Sequence, residues 1–152
     1  MIGIGNAYRN DDAAGLMAVR RIKQQAAESC STVEHSGEGA ALMELWKDAD
    51  AVIVIDAVQS GGAPGTASRF DASLRPLPAS TFRSSTHAFS LPQAIELSRA
   101  LHQLPRPLIV YGIEAQNFEA GTSLSPAVEF GMQTVVEKVL QELSEKTLHS
   151  QT

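Results

Sequence analysis

Short apolar runs alternate with segments of helical periodicity along most of this chain. Such alternation is typical of a largely parallel β-sheet flanked by helices. Apolar stripes predict helices over about 11–28 and 40–46, after Ser90, and from Ser125-Pro126 onward, and strand-like runs occupy about 32–35, 51–55, 66–70 and 107–113. We therefore predict an α/β, three-layer fold in which a mostly parallel twisted sheet has helices on both faces. Residues 1–152 show no internal repeat and are predicted to form a single domain with a frayed tail at 146–152.

The run Ala51-Val-Ile-Val-Ile55 indicates the centre of the sheet. It is uniformly apolar, so burial on both faces explains it better than a half-exposed strand would. Asp56 follows this run and is predicted to sit at the C-terminal end of the strand. The turn formers of 59–65 and the strand after them predict an antiparallel edge. Ser90 and Gln93 resemble a capping box at the start of the third helix, and a start near Thr86 fits the sequence equally well.

Composition and charge narrow the classes of function. The chain has 152 residues, is 43% hydrophobic and carries a net charge of −5, without a basic cluster. These properties fit a globular protein and argue against nucleic acid and anionic membrane as partners. The longest apolar run is too short to span a bilayer. The single cysteine, Cys30, cannot form an internal disulfide, so a reducing, cytoplasmic setting is expected.

The first chemical signal is the N-terminal segment Gly3-Ile-Gly-Asn-Ala-Tyr-Arg-Asn-Asp-Asp-Ala-Ala-Gly15. A dinucleotide-binding fingerprint would require glycine where Tyr8 stands, and two carboxylates at the helix start would repel a pyrophosphate. The dinucleotide interpretation therefore fails. Taken alone, Asp11 and Asp12 are explained by helix capping and by a favourable interaction with the helix dipole.

Partners elsewhere in the chain change the interpretation of Asp12. Open α/β sheets place their ligands beyond the carboxyl ends of the strands, where Asp12 and Asp56 would meet. His87 precedes the third helix and could join them. Each residue also has an ordinary structural explanation, as a cap, a turn former or a structural histidine. Together, two carboxylates and one imidazole suit a borderline divalent metal such as nickel or zinc, with coordination positions left open.

Other candidate residues carry weaker signals. Ser84 or Ser85 could form a hydrolase triad with His87 and Asp56, but no Gly-x-Ser-x-Gly elbow exposes either serine. Glu114 follows a predicted strand and is assigned to capping or pairing at the border of the same cleft. The remaining histidines have no ligand-like neighbour: His35, His102 and His149.

Five groups of residues carry a resemblance that covers nearly the whole chain. They are Gly3-Ile-Gly-Asn6 with Asp11-Asp12 and Gly15, Val54-Ile-Asp-Ala57, Thr86-His-Ala-Phe89, Tyr111-Gly-Ile-Glu114 and Leu124-Ser-Pro126. In these residues the chain resembles the hydrogenase maturation proteases, which trim the C-terminus of the large subunit of nickel-iron hydrogenases once nickel is installed. The resemblance implies an aspartyl-type endopeptidase in which Asp12, Asp56 and His87 bind a metal ion and the two aspartates are catalytic.

The resemblance also implies the source of the metal. Nickel belongs to the precursor of the hydrogenase large subunit, so the enzyme needs no cofactor of its own, and zinc or cadmium can substitute in vitro. Asn6 and the glycine-rich segment around Gly37 and Gly39 are expected to contact this precursor. Family members usually have several apolar residues before the first glycine turn, whereas only Met1 and Ile2 stand here. A truncated first strand is therefore expected.

The same residues could serve two functions of other classes. A non-catalytic metal-binding or protein-binding module on the same fold predicts metal binding without cleavage. A small hydrolase with a zinc ion of its own would act on an unrelated substrate, such as a nucleotide or an amide. Such a hydrolase should retain stoichiometric zinc through purification.

Overall fold

The chain folds around one five-stranded sheet in the computed structural model, which describes residues 1–82 and 87–149. The strands are β1 (Ile2–Ile4), β2 (Val33–His35), β3 (Val52–Val58), β4 (Ala67–Asp71) and β5 (Leu108–Glu114). The helices are α1 (Ala14–Ala26), α2 (Gly39–Trp46), α3 (Leu91–Ala100) and α4 (Pro126–His149), with a 3-10 turn at Asn10–Ala13 before α1. The strand order is β2-β1-β3-β5-β4; β4 runs antiparallel to β5 and the other pairs are parallel. The predicted mostly parallel sheet with an antiparallel edge is confirmed.

Helices cover both faces of the sheet. Alternate residues of β3 and β5 point to opposite faces and so contribute to two separate cores. One apolar core joins α1 and α4 to the sheet, and its fully buried members include Ile22, Ile55, Ile113 and Met132. A second core joins α2 and α3 to the opposite face, and includes Leu42, Trp46, Val54, Ile95 and Val110. The three predicted layers are therefore present. Within the described ranges, no helix is both long and apolar enough to cross a membrane.

Two helix boundaries differ from the predicted ones. The helix expected over 11–28 begins as a 3-10 turn and becomes α-helical only at Ala14. Asn10 has a φ of 46°, which is outside the helical region and delays regular helix formation. At the other end of the chain, α4 continues to His149, while fraying of the tail at 146–152 stays a prediction. Residues 150–152 lie outside the described part of the chain.

The ends of β1 and β3 create the opening in which the site lies. As expected, β1 is short, and it pairs with β3 through Ile2–Val54 and Gly3–Ile55. β5 pairs with β3 along its whole length, so β3 continues to Val58. Asp56, predicted at the C-terminal end of the strand, lies within β3 two residues before its end and one residue beyond the ladder with β1. After β1 the chain continues toward the edge of the sheet formed by β2, and after β3 it continues toward the opposite edge, formed by β4. The gap between the ends of β1 and β3 is therefore the switch point of the topology.

Close packing of α1 against the sheet depends on Gly15. A Cβ atom at this position would lie 2.3 Å from the carbonyl oxygen of Ile55 and 2.5 Å from that of Ile4. We expect Gly15→Ala to lower the free energy of unfolding by roughly 2 kcal/mol or more, because backbone collisions outweigh the gain of about 1 kcal/mol in helix propensity. Urea denaturation would measure this change. Gly62→Ala is the control, since its Cβ would make ordinary contacts at 3.7 Å. Equal stability of the two variants would contradict the prediction.

Candidate active site

A small pocket lies at the carboxyl edge of the sheet, between the ends of β1 and β3. The space in it that a water molecule can enter is about 50 Å³, which is room for an ion and a few water molecules. The pocket brings together the three predicted metal-binding residues, Asp12, Asp56 and His87. Its other walls come from Ile4, Gly5, Arg9, Ser36, Gly37, Ala57, Phe82, Leu91 and Pro92.

Asp56 occupies the β3 wall of this pocket and is only partly accessible. Burial raises the pKa of its carboxyl group well above the usual value, and the nearby charge of Asp12 raises it further. A hydrogen bond from the backbone N–H of Ala57 opposes this shift. Because a cation would relieve both the burial cost and the repulsion, this carboxyl group favours either a proton or a positive ligand.

Asp12 faces Asp56 from the 3-10 turn before α1. Burial raises the pKa of its carboxyl group, while the positive charge of Arg9 and a hydrogen bond from the backbone N–H of Asn6 lower it. The net shift is upward. Two carboxyl groups with raised pKa values in one pocket are typical of a site for acid-base chemistry or for cation binding.

His87 reaches the pocket from the segment that precedes α3. Its Nε2 atom lies 3.1 Å from the carbonyl oxygen of Ser36. The predicted capping box is confirmed, since the backbone N–H of Ser90 donates to Oε1 of Gln93 at 3.0 Å, and α3 begins at Leu91. His87 therefore stands close before an ordered helix start. Residues 83–86, including the serines of the alternative triad, lie outside the described residues.

The segment after β2 supports His87 and forms another wall of the pocket. Gly37 has a φ of 94°, and a Cβ atom there would lie 2.9 Å from the Ile4 side chain. Its backbone N–H donates to Nδ1 of His35 at 2.9 Å. Burial lowers the pKa of His35, the charge of His87 lowers it further, and Glu38 opposes both effects. The interpretation that His35 has no neighbour of ligand type is wrong, because the fold brings Glu38 and His87 near it.

Two of the predicted substrate-binding residues do not line the pocket. The Oδ1 atom of Asn6 accepts a hydrogen bond from the backbone N–H of Tyr8 at 2.9 Å, which shapes the turn after β1. Gly39 is buried, and a Cβ atom there would lie 2.7 Å from the Phe89 ring. Gly37 is the member of this predicted set that the pocket includes. Contact of Asn6 or Gly39 with a substrate stays a prediction.

Asp11, adjacent to Asp12, has a structural role different from the predicted one. It is fully buried, and its carboxylate accepts hydrogen bonds from the backbone N–H groups of Gln116, Asn117 and Ser125 and from the Ser125 hydroxyl. Burial alone would raise its pKa, but these hydrogen bonds outweigh that effect and lower it. The helix-capping interpretation of Asp11 is wrong, because no side-chain bond caps its own helix. Asp11 instead anchors the loop between β5 and α4.

Glu114 has the capping role that its sequence position predicts. Its buried carboxylate accepts hydrogen bonds from the backbone N–H groups of Ser60 and Gly61 at 2.8 and 3.0 Å and from the Ser60 hydroxyl at 2.7 Å. These bonds fix the loop that follows β3. Glu114 is not part of the pocket wall.

The described side chains do not form a ready-made metal cage. No group of three or more histidine, cysteine, aspartate or glutamate residues in 1–82 and 87–149 is arranged to hold an ion. The donor types nevertheless suit a divalent cation, because carboxylate oxygens and an imidazole nitrogen are common ligands of nickel and zinc. Coordination by Asp12, Asp56 and His87 together would require their side chains to rotate toward one another.

Sequence reasoning missed Arg9 and His35. Arg9 lies within the N-terminal motif, three residues before Asp12, and this proximity could have marked it. His35 ends β2, which neighbours β1 in a parallel sheet, so its position at the same edge could have been anticipated. His35 comes next to the predicted ligands only through folding.

Fold and site together define an α/β protein with an acidic pocket at the switch point of its sheet. The family model described as "HycI: Hydrogenase maturation protease" matches residues 17–142. The hydrogenase 2 maturation protease of Escherichia coli (strain K12) is 30% identical over 150 residues, covering 95% of this chain and 90% of that protein. The chain belongs to the hydrogenase maturation protease family, and it is an endopeptidase.

Solved structures agree with this assignment. The [NiFe] hydrogenase maturation protease HybD of Thermococcus kodakarensis superposes with a TM-score of 0.72 at 25% identity, covering 93% of this chain and 96% of that one. An endopeptidase from Escherichia coli gives a TM-score of 0.78 at 26% identity, covering 95% of this chain and 91% of that one. The predicted family and fold are confirmed.

Proposed function

We propose that this endopeptidase removes the C-terminal extension of a nickel-iron hydrogenase large-subunit precursor after sensing the nickel bound to that precursor. The observation that carries the proposal is the convergence of Asp12, Asp56 and His87 on one small pocket. The pocket has room for an ion, so a nickel ion held by the precursor would enter it while the chain to be cut lies alongside.

The raised pKa values of the two aspartates support cation sensing. Without a cation, burial and mutual repulsion oppose two full negative charges in the pocket. The nickel of the precursor would stabilise both charges and draw His87 toward it. Each carboxylate has two oxygens, so one can contact the ion while the other accepts a proton from the attacking water. This use of Asp12 and Asp56 is the aspartyl-type chemistry that we propose.

Nickel in this scheme is part of the substrate and not a resident cofactor. We propose that the protein works in the cytoplasm, which its unpaired thiol at Cys30 supports. The defining experiment incubates the enzyme with nickel-loaded and nickel-free precursor and follows the loss of the C-terminal extension by mass spectrometry. Cleavage of the loaded precursor alone is expected. Equal cleavage of both forms would show that nickel sensing is wrong.

The free protein should bind metal only modestly. Three ligands leave coordination positions to water, and closing them on an ion requires side-chain rotation. We expect the purified protein to be largely metal-free and to bind Ni²⁺, Zn²⁺ or Cd²⁺ in a titration. Elemental analysis tests the first expectation and calorimetry the second. One tightly held metal per chain would support a resident metal instead.

Metal binding should release protons, because the pKa of Asp56 is well above the usual value and that of Asp12 is also raised. A carboxyl group that is partly protonated before binding must lose its proton to coordinate a cation. Affinity should therefore rise with pH above the ordinary carboxylate range of about 4 and level off above the raised pKa values. Calorimetry in buffers of different ionisation enthalpy measures the released protons, and Asp56→Asn should reduce their number. Buffer-independent heats for the wild type would contradict this prediction.

A further inference from the structure

A positive group stands in the same pocket as the two aspartates. Arg9 lines the wall next to Asp12 and is only partly exposed. Its charge lowers the pKa of Asp12, so the two groups are close enough to interact. They do not form an ion pair, since no Arg9 nitrogen among the described residues lies within 4.0 Å of a carboxylate oxygen.

The guanidinium group of Arg9 is held by Phe118. Its Nε atom donates to the carbonyl oxygen of Phe118 at 3.2 Å, and its Cζ atom lies 5.8 Å from the centre of the Phe118 ring. The Arg9 backbone is held as well, by a bridge to Gly121 and by donation from the Asp12 N–H to the Arg9 carbonyl oxygen at 3.1 Å. These contacts leave the two terminal Nη nitrogens without an acceptor in the described part of the chain.

The other partly buried arginines of the described residues are paired differently. Arg21 bonds to Glu129, and Arg99 bonds to Glu96. A half-buried guanidinium group has lost part of its hydration, and an acceptor normally compensates for that loss. Arg9 therefore combines a place on the pocket wall with unused donors for an oxygen atom supplied from outside the chain.

The charge distribution of the pocket indicates which oxygen this is. The pocket contains Asp12 and Asp56, which attract a cation, and also Arg9, which attracts an oxygen of negative character. Building on the proposed function, we propose that Arg9 donates hydrogen bonds to the carbonyl oxygen of the peptide bond that is cut. The precursor would thus present its nickel to the aspartates and the neighbouring carbonyl group to Arg9.

In this role Arg9 acts as a catalytic residue through transition-state stabilisation. Water adds to the carbonyl carbon, the electron pair of the C=O π bond moves onto the oxygen, and the proton of the water goes to a carboxylate. The guanidinium group stabilises the negative oxygen. The C–N bond then breaks, the nitrogen takes the proton back from the carboxylate, and the same oxygen becomes part of the product carboxylate, which a planar guanidinium group binds well.

The test compares Arg9→Gln with wild type on nickel-loaded precursor. Loss of a donor that acts mainly in the transition state should lower kcat by about a hundredfold or more while KM changes little. Nickel titrated into the free variant should bind at least as tightly as to wild type, because a positive charge beside the ligands has been removed. Arg21→Gln is the matched control, since it removes a half-buried arginine remote from the pocket, and its kcat should equal that of the wild type.

Chemical rescue provides the second arm. Arg9→Ala leaves a space at the pocket wall that guanidinium ion can enter, so guanidinium chloride at concentrations far below those that unfold proteins should restore part of kcat. Tetramethylammonium chloride, which cannot donate hydrogen bonds, should not. An unchanged kcat in Arg9→Gln, a parallel loss of nickel affinity, or an Arg9→Ala enzyme that guanidinium does not activate would each overturn the proposal. If the wild-type enzyme cleaves nickel-free and nickel-loaded precursor equally, the proposed function is wrong, while the kcat of Arg9→Gln still tests the role of Arg9.

Discussion

Asp56→Asn is expected to abolish precursor processing, with a loss of at least about a hundredfold in rate, while the protein stays folded. Asparagine keeps the shape of the side chain but removes the negative charge that a cation requires. Loss of a residue that only orients a metal ligand already lowers metal affinity or activity by about 10- to 100-fold. Loss of a ligand itself should therefore lower activity at least that much. Cleavage of nickel-loaded precursor over time measures the effect.

The same variant should not be less stable than the wild type at neutral pH. The pKa of Asp56 is raised in the folded state, so its ionisation opposes folding once the pH exceeds the ordinary carboxylate value of about 4. Asparagine removes this penalty, and the melting temperature of the variant should equal or exceed that of the wild type at neutral pH. The penalty vanishes in the wild type below the unfolded-state pKa. Asp50→Asn, at an exposed position before β3, is the control. An Asp56→Asn enzyme that trims the precursor at the normal rate would remove Asp56 from the site.

His87→Ala should lower both metal affinity and precursor processing by at least about tenfold. Among the described residues, His87 contributes the imidazole on the wall of the pocket. Thermal stability should change little, because the residue is not part of either apolar core. Calorimetric titration with Ni²⁺, cleavage assays and melting curves on the same preparation separate these effects.

A second histidine variant controls for the loss of an imidazole elsewhere. His102 is exposed and has a φ of 56°, a conformation that asparagine tolerates, so His102→Asn should leave cleavage unchanged. If His87→Ala instead unfolds at a much lower temperature than wild type, His87 supports the segment after β2 through Ser36 and has a structural role.

The sheet could be predicted because its signals are local. Unbroken β-branched residues over 52–55 can be accommodated only between two layers of helices, and the strand ends of a parallel sheet meet at one edge. That rule by itself predicts that Asp12 and Asp56 come together. The end of β3 at Val58 could not be predicted, because it depends on pairing with β5, which no local pattern reveals.

The parts of the site that escaped prediction depend on contacts between residues far apart in sequence. Asp11 has a helix-capping pattern, yet its hydrogen-bond partners are Gln116, Asn117 and Ser125, more than a hundred residues away. Arg9 is oriented by Phe118 at a similar separation. Periodicity and capping rules describe neighbours along the chain, so they cannot show which loop a side chain will meet.

The donor groups of the pocket, from Asp12, Asp56 and His87, bear on how such a protease can coexist with other proteins. Most peptidases recognise the side chains that flank the bond they cut, and therefore threaten any unfolded chain of suitable sequence. Here the residues gathered in the pocket, two carboxyl groups and an imidazole, suit a cation and not a substrate side chain of particular sequence. Under the proposed function, cleavage requires a metal ion that few polypeptides carry. An enzyme restrained in this way needs neither an inhibitor nor an inactive precursor form to spare its neighbours.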